Sequence, residues 1–309
     1  MREETKVCQN CGNQFLVEPD DFSFYEKMGV PAPAICPACR FKRRSVFRNE
    51  RTLYKRTCDL CKRSIITMYH PKSPFTVYCN DCWLSDKWDA FSYAQEYDPN
   101  RPFFEQLGEL SRKVPKSATY SSPSMGPNVN SEYANFAGSN KDCYLVFNSG
   151  PHNENCAYSR GIQQCRDTFD QYYGLGLERC YEGVNVQKSS GVLFGKNVLD
   201  SIDSWLLFNC SGCQNCFGCV NLRHKSYHFF NEPLQKDEWR KRVSEIVGSY
   251  SRIGEARKKF EEFSLKFPRR ENNNLKSTNV SGDYIFESKN CLECFEVAFS
   301  EDLKYVFSV

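Results

Sequence analysis

Cysteine is the residue type with most of the candidate chemistry, at 18 of 309 residues. The first eight cysteines form four pairs with two residues inside each pair: Cys8/Cys11, Cys36/Cys39, Cys58/Cys61 and Cys79/Cys82. A CxxC pair closes a tight turn that points both thiolates at one ion, and two pairs complete a tetrahedral four-sulfur zinc site. The spacing therefore predicts two bound zinc ions. Because four thiolates leave no open coordination position, we expect both ions to be structural.

The sequence does not show which CxxC pairs, or knuckles, combine into one site. If they combine in chain order, 24 residues separate the two knuckles of the first zinc ribbon and 17 separate those of the second. An interleaved pairing would use the same eight ligands. Gly12 directly follows Cys11, where a knuckle favours a residue that tolerates positive φ.

A second cysteine group, CSGCQNCFGC, places Cys210, Cys213, Cys216 and Cys219 three residues apart. Its first three cysteines match the start of a ferredoxin cluster run, but the next spacing is two and Val220 stands where that run has proline. In an extended strand, thiols three residues apart lie ~10 Å from each other on alternating faces. We therefore expect packed or turn cysteines here, with a third metal site as the alternative.

Positive charge is concentrated between the second and third knuckles, although the net charge of the chain is only +3. Residues 40–63 contain ten basic and two acidic side chains, with Phe41, Phe47 and Tyr54 among them. Arginine binds phosphate and aromatic rings stack on bases, so this segment is a candidate nucleic-acid contact. The alternative is a solvated linker. The candidate binding residues are Arg40, Lys42, Arg43, Arg44, Arg48, Arg51 and Arg56.

The remaining chain must position these groups, and it contains amphipathic helices and a β-repeat. Apolar residues at three- and four-residue steps predict one helix near 103–114 and one or two helices within 234–266. Short apolar runs ended by Asn, Asp or Gly recur from about 131 to 230. Their spacing predicts coils of ~22–26 residues with two main strands each, which would stack into a parallel β-solenoid. A β-sandwich or barrel is the rival.

The predicted fold class is therefore mainly β, with two N-terminal zinc ribbons followed by a parallel, β-helix-like solenoid that contains a helical insertion. In the solenoid, the cysteines at 143, 156, 165 and 180 would be small buried hydrophobes. The predicted domains are a first zinc ribbon with basic linker (1–57), a second ribbon with bridging helix (58–115), solenoid repeats (116–233), the helical insertion (234–268) and further solenoid strands (269–309).

Several segments resemble known sequences. The run CQNCGNQF…FYEKMGVPAPAICPACR is similar to a widespread probable zinc-ribbon domain. The segments RNERTLYKRTCDLC, VYCNDCWLSDKWD, RPFFEQLGEL and CFGCVNLRHKSY resemble an uncharacterised cysteine-rich family of small-genome bacteria. The similarity covers most of residues 1–260. It implies zinc binding and this architecture, and it supplies no activity.

Enzyme motifs are missing from the sequence: it contains no phosphate loop, dinucleotide fingerprint, nucleophile elbow or HExxH. His224 and His228 follow Cys216 and Cys219 at a spacing too short for a zinc finger. Carboxylates on a solenoid face can act on polysaccharide, and Asp167, Asp170, Asp200 and Asp203 are the candidates. No catalytic residue is assigned, and the chain is expected not to be an enzyme.

The sequence thus predicts a non-enzymatic zinc-binding protein that contacts nucleic acid or a ribonucleoprotein through its ribbons and Arg-rich linker. A protein-interaction scaffold that displays the solenoid surface is the alternative, and a carbohydrate-active β-helix enzyme is the third reading. The opening MREETKVCQN is charged where an export signal would be apolar, and no run approaches the ~20 apolar residues of a membrane span. We expect a cytoplasmic protein without a membrane partner; the oligomeric state is left open.

Overall fold

The computed structural model describes residues 3–121 and 125–308. Residues 1–2, 122–124 and 309, which fall inside three of the predicted domains, lie outside the described residues. The chain forms two compact units. The smaller unit combines Met1–Asn49 with Pro268–Val309, and the larger one is Glu50–Phe267. The two predicted ribbons therefore belong to different units.

The helices and strands alternate in short segments. The helices are α1 (Pro19–Lys27), α2 (Pro37–Ser45), α3 (Asn80–Trp83), α4 (Phe103–Lys113), α5 (Lys236–Val247) and α6 (Tyr250–Ser264), with a 3-10 turn at Ala90–Tyr93. The strands are β1 (Glu4–Val7), β2 (Gln14–Val17), β3 (Tyr54–Thr57), β4 (Ser64–Thr67), β5 (Val77–Tyr78), β6 (Lys116–Ser117), β7 (Asn135–Ala137), β8 (Asn140–Lys141), β9 (Tyr144–Ser149), β10 (Asn153–Gln163), β11 (Arg166–Glu178), β12 (Tyr181–Leu193), β13 (Lys196–Leu199), β14 (Ile202–Ser211), β15 (Phe217–Val220), β16 (His228–Phe229), β17 (Glu232–Pro233), β18 (Thr278–Phe286), β19 (Lys289–Ala298) and β20 (Glu301–Lys304).

The protein is mainly β, as predicted, and the described part of the larger unit holds an 11-stranded, mostly parallel sheet formed by β7–β17. From β10 to β16, paired strands are offset by twelve residues: Cys156 pairs with Thr168, and Phe169 pairs with Tyr181. The smaller unit holds a three-stranded parallel sheet, β18–β20, in which Ile285 pairs with Val297 at the same offset. Among the described strands of the 11-stranded sheet, the antiparallel pairing of a hairpin-built sandwich is confined to β16–β17.

The predicted coil length of ~22–26 residues is wrong, because strands such as β11 and β12 pair at an offset of twelve residues. Within that offset a pattern of three residues repeats. From Asn155 to Phe230 every third residue has a φ between 44° and 68°, which is left-handed. The residue after each left-handed one is buried from Cys156 to Cys219. We call these buried residues the core positions. Asn, Asp and Gly supply many of the left-handed positions because they tolerate this conformation best.

Small polar side chains at the core positions satisfy backbone groups. Ser201 Oγ donates to the carbonyl of Leu199 at 3.0 Å and accepts from the Cys213 amide at 3.2 Å. The Cys180 thiol donates in the same way to the carbonyl of Glu178 at 3.5 Å. Serine, threonine and cysteine therefore fit core positions at which backbone groups lie within hydrogen-bond distance of the side chain.

The predicted helices are confirmed at 103–113 and, as two helices, within 236–264. In the larger unit α5 and α6 cover aromatic side chains of the sheet. Trp239 and Val243 of α5 pack in one apolar cluster with Phe217 of β15 and Leu206 of β14. Among the described residues, no helix is both long and apolar enough to cross a membrane.

Candidate metal centres and the basic segment

The first four-cysteine group lies in the smaller unit and joins a hairpin to a helix. Cys8 and Cys11 sit in the turn between β1 and β2, while Cys36 is the N-cap of α2 and Cys39 lies in its first turn. The ligand sulfurs of Cys8, Cys11, Cys36 and Cys39 all lie within 4.8 Å of one another. Gly12 has a φ of 74° and donates its amide to the Cys8 carbonyl at 2.9 Å, which closes the knuckle.

The second group repeats this construction in the larger unit. Cys58 and Cys61 form the β3–β4 turn, Cys79 is the N-cap of α3, and Cys82 lies inside that helix. The ligand sulfurs of Cys58, Cys61, Cys79 and Cys82 again lie within 4.8 Å of one another. Lys62 takes the place of Gly12, with a φ of 64° and the same amide bond, to Cys58 O at 3.0 Å.

Both groups have the geometry that a tetrahedral ion requires. Metal–sulfur bonds of about 2.3 Å at tetrahedral angles put sulfurs about 3.8 Å apart. Cys11 Sγ lies 3.9 Å from Cys36 Sγ, and Cys61 Sγ lies 3.8 Å from Cys79 Sγ. The knuckles thus combine in chain order, and two four-cysteine groups that could hold metal ions are present.

Hydrogen bonds to the sulfurs favour thiolates. The amide of Cys36 donates to Cys8 Sγ at 3.3 Å, and this bond lowers the pKa of Cys8 to about 6. Hydrogen bonds from Arg63 lower the pKa of Cys61 to about 6. Burial raises the pKa of Cys82 to about 12. Each group therefore offers its metal ion one thiol that ionises readily, Cys8 in the first group and Cys61 in the second.

Arg63 was missed by the sequence reasoning. Its Nε donates to Cys61 Sγ at 3.4 Å, and its Nη2 lies 3.5 Å from Cys79 Sγ and 2.7 Å from Asp81 Oδ2. The guanidinium therefore offsets part of the negative charge of the second group. Its position two residues after a CxxC pair was the available signal. At the first group the corresponding sulfur contact is neutral, from Asn10 Nδ2 to Cys39 Sγ at 3.3 Å.

Cys210, Cys213, Cys216 and Cys219 occupy four successive core positions, which together cover one twelve-residue pairing offset. Each is at most 1% exposed. Their thiols donate to backbone carbonyls, as Cys210 does to Phe208 and Cys219, both at 3.4 Å. Among the described residues, the groups whose donor atoms all lie within 4.8 Å are the two N-terminal ones, and these four thiols form no such group.

The candidate nucleic-acid-binding residues are divided between the two units, with Arg40–Arg48 in the smaller one and Arg51 and Arg56 in the larger. Two of them serve internal contacts. Arg40 Nη1 donates to the Tyr25 hydroxyl at 3.0 Å, and Arg56 Nη2 donates to the Phe75 carbonyl at 2.7 Å. Arg51 lies 3.9 Å from Glu50 with 58% of its side chain exposed.

Among the candidate binding residues, the exposed basic side chains that share one element are on α2. Lys42, Arg43 and Arg44 form its last turns and are exposed, and Arg44 also lies 3.5 Å from the Tyr305 carbonyl. Arg48 follows shortly after the helix and is exposed as well. Phe47 beside it is 89% exposed.

The carboxylates and histidines considered from sequence do not form one catalytic group. Asp167 Oδ1 accepts from Asn155 at 2.6 Å, whereas Asp170 lines a groove together with Glu182, twelve residues on. Asp200 and Asp203 are exposed and do not line that groove. His224 is left-handed and exposed, whereas His228 follows left-handed Tyr227 and is half-buried, so the two imidazoles occupy different positions of the pattern.

Comparison of the chain with protein-family models, with curated proteins and with solved structures gives no match. The resemblance to a zinc-ribbon family therefore stays a prediction, and the two four-cysteine groups are what the structure contributes to it.

Proposed function

We propose that both four-cysteine groups bind Zn²⁺ as structural ions. The observation that supports this most directly is the sulfur separation of 3.9 and 3.8 Å, which matches a tetrahedral zinc site. All-cysteine ligation leaves no position for substrate or water, so the ions would hold the knuckles together. The residues around them would orient the thiolates and balance their charge.

We further propose that the parallel strands close into a β-solenoid and that each ribbon covers the end of one stack. Parallel pairing at a twelve-residue offset from β10 to β16, with a buried residue at every third position, supports a stack of four-sided turns. In the larger unit the Met68 amide and Thr67 Oγ1 of the ribbon both donate to the Ala118 carbonyl, at 2.9 and 2.8 Å. In the smaller unit Phe41 packs edge-on against Phe307, with ring centroids 5.9 Å apart. End repeats of stacked proteins need such covers.

Nucleic-acid binding through α2 is the molecular function that we propose. The helix starts at zinc-site cysteines and ends in exposed Lys42, Arg43 and Arg44, followed by exposed Phe47. Cations for phosphates beside a ring for base stacking are the groups that single-stranded nucleic acid requires. A structural zinc ion at the N-terminal end of α2 would fix the direction in which these side chains project.

The test compares two double variants of the full chain in a binding titration with a fluorescent 20-nucleotide single-stranded RNA. The variant Lys42→Ala/Arg43→Ala should bind about tenfold more weakly, with a log–log salt slope smaller by about 1 to 2. The matched control, Arg240→Ala/Lys241→Ala, removes two exposed cations from α5 and should bind like the parent chain. Equal loss in both variants would show only unspecific charge attraction and would refute the proposal.

A protein partner is the alternative that exposed aromatic side chains favour. Phe104 of α4 is 82% exposed and Phe91 is 87% exposed. If purified parent chain retains a stoichiometric protein and no RNA binding is measurable in the same titration, the scaffold function replaces the nucleic-acid function.

A further inference from the structure

The larger unit contains a groove of about 570 Å³ between the outer side of the sheet and α6. Strands β11 and β12 supply Asp170, Tyr172 and Glu182 to its wall, and α6 supplies Arg257, Phe260 and Glu261. Neither the zinc groups nor the basic helix α2 contributes to it. The groove is therefore a separate feature with its own chemistry.

Contacts between α6 and the sheet define the walls of the groove. Arg257 of α6 lies 2.8 Å from Glu182 and 4.5 Å from the ring centroid of Phe194, so the helix is fixed against the sheet at this point. Gly183 and Gly195 lie on the sheet side of the groove. A Cβ at Gly183 would overlap Gln171 Oε1, so the glycine makes room for that amide.

Gln171 follows Asp170 and occupies a core position, so its side chain points away from the groove. It is 3% exposed, and its Nε2 donates to the Phe169 carbonyl at 3.2 Å. Asp170 is left-handed and exposed, so its carboxylate is the acceptor that this part of β11 presents at the groove.

The charged residues that line the groove indicate which class of ligand it would bind. The lining includes three carboxylates and three cations: Asp170, Glu182, Glu261, Arg51, Lys196 and Arg257. Their charges cancel, so the groove does not favour a polyanion such as RNA. Aromatic rings lie beside these polar groups: Tyr158 is 57% exposed and Tyr172 is 38% exposed. Rings that pack against C–H faces, next to carboxylates that accept from hydroxyls, suit a neutral polyhydroxylated molecule.

We propose that the groove between β11–β12 and α6 binds a neutral oligosaccharide, with the Asp170 carboxylate accepting from its hydroxyls and the rings of Tyr158 and Tyr172 packing against its C–H faces. The inference is independent of the α2 proposal, because the two surfaces share no residue. We expect reversible binding, in which no bond of the oligosaccharide is formed or broken.

The experiment is calorimetric titration of the full chain with maltohexaose, cellohexaose and N-acetylchitohexaose. At least one hexasaccharide should bind, and Asp170→Asn should weaken its affinity about tenfold or more, because a hydrogen bond to a charged acceptor is lost. Asparagine tolerates the left-handed backbone of Asp170, where φ is 54°.

The matched control is Asp200→Asn, which makes the same change at an exposed left-handed position outside the groove, where φ is 49°. It should bind the hexasaccharide like the parent chain. Failure of all three sugars to bind up to about 5 mM would overturn the proposal. Equal weakening in both variants, or displacement of the sugar by the 20-nucleotide RNA, would also overturn it.

Discussion

The amide of Cys79 donates a hydrogen bond to Cys58 Sγ at 3.2 Å, and this bond ties the hairpin knuckle of the second ribbon to its helix knuckle. The Cys36 amide and Cys8 Sγ form the same bond at 3.3 Å in the first ribbon. Two ribbons in separate units are thus built on one plan. We therefore expect the two proposed metal sites to bind the same kind of ion and to differ in affinity only where the residues around them differ.

The first prediction concerns metal content. The parent chain should contain two zinc ions, and Cys58→Ser should remove one of them, because three thiolates bind far more weakly than four. Elemental analysis of the purified chain measures both values. Cys143→Ser is the control, since Cys143 is a buried core cysteine whose thiol donates to backbone carbonyls. Zinc loss in the control, or none in Cys58→Ser, would contradict the assignment.

The second prediction concerns Arg63, whose guanidinium contacts two sulfurs of the second group. Arg63→Met should speed metal release from that group to a chelator about tenfold or more, because groups that hydrogen-bond ligands change metal affinity by about 10–100-fold. Stopped-flow release with a chromogenic chelator reports it. The first group serves as an internal control, so one kinetic phase should accelerate and the other should not. Acceleration of both phases would count against a local effect.

The third prediction concerns the ion pairs that join α1 to β20 in the smaller unit. Lys304 Nζ lies 2.8 Å from Asp21 and 2.9 Å from Glu18, and Asp21 is 5% exposed. Lys304→Met leaves a buried carboxylate without its cation and should lower the free energy of unfolding by about 3 kcal/mol. Denaturant titration measures the change. Lys289→Met, which breaks an exposed pair with Glu301, should cost less than about 1 kcal/mol.

The same pair has a defined pH dependence. Burial opposes the charge of Lys304, but hydrogen bonds to Asp21 and Glu18 outweigh it and raise the pKa of Lys304 above its usual value. A raised pKa gives stabilisation that is complete below the unfolded lysine pKa of about 10.4 and is lost as pH rises through the folded value. The cost of Lys304→Met should therefore be equal at pH 7 and pH 9. A smaller cost at pH 9 would show that Lys304 titrates lower.

The fourth prediction concerns Gly282, at the irregular register between β18 and β19. Its φ is 119°, and a Cβ there would overlap the carbonyl of Cys294. Gly282→Ala should destabilise the smaller unit by at least about 2 kcal/mol, measured by thermal or denaturant unfolding. Gly254→Ala is the control, because nothing lies within 4 Å of its added Cβ in α6. It should be neutral or stabilising by up to about 1 kcal/mol; equal effects would contradict the steric account.

Sequence patterns identified the two four-cysteine groups and the helices because both depend on local spacing. The CxxC pairs close within one turn, and the apolar steps of α4 follow directly from helical geometry. The repeat length could not be read in the same way. Left-handed positions are filled by Tyr158, Phe194 and Leu206 as well as by Asn and Gly, so the three-residue period has no clear composition signal.

Charge patterns gave the least reliable site. Ten basic residues within the 24 residues 40–63 suggested one surface. The contacts that their side chains make, however, depend on residues far along the chain. Arg40 meets Tyr25, and Arg56 meets the Phe75 carbonyl. Such contacts depend on tertiary packing, which a local sequence pattern does not show. The groove at Asp170 was missed for the same reason, since its residues span Arg51 to Glu261.

The three-residue alternation of left-handed and buried positions restricts how this chain can change in length. A single extra residue is accommodated between β9 and β10, where Ala157 pairs with Tyr144 at an offset of thirteen residues and the buried pattern then continues. Twelve inserted residues would give each later residue the kind of neighbour it has now, because pairs such as Asn185 and Asn197 lie twelve residues apart. Lengthening by twelve residues is therefore the change that keeps the surface pattern of the proposed solenoid.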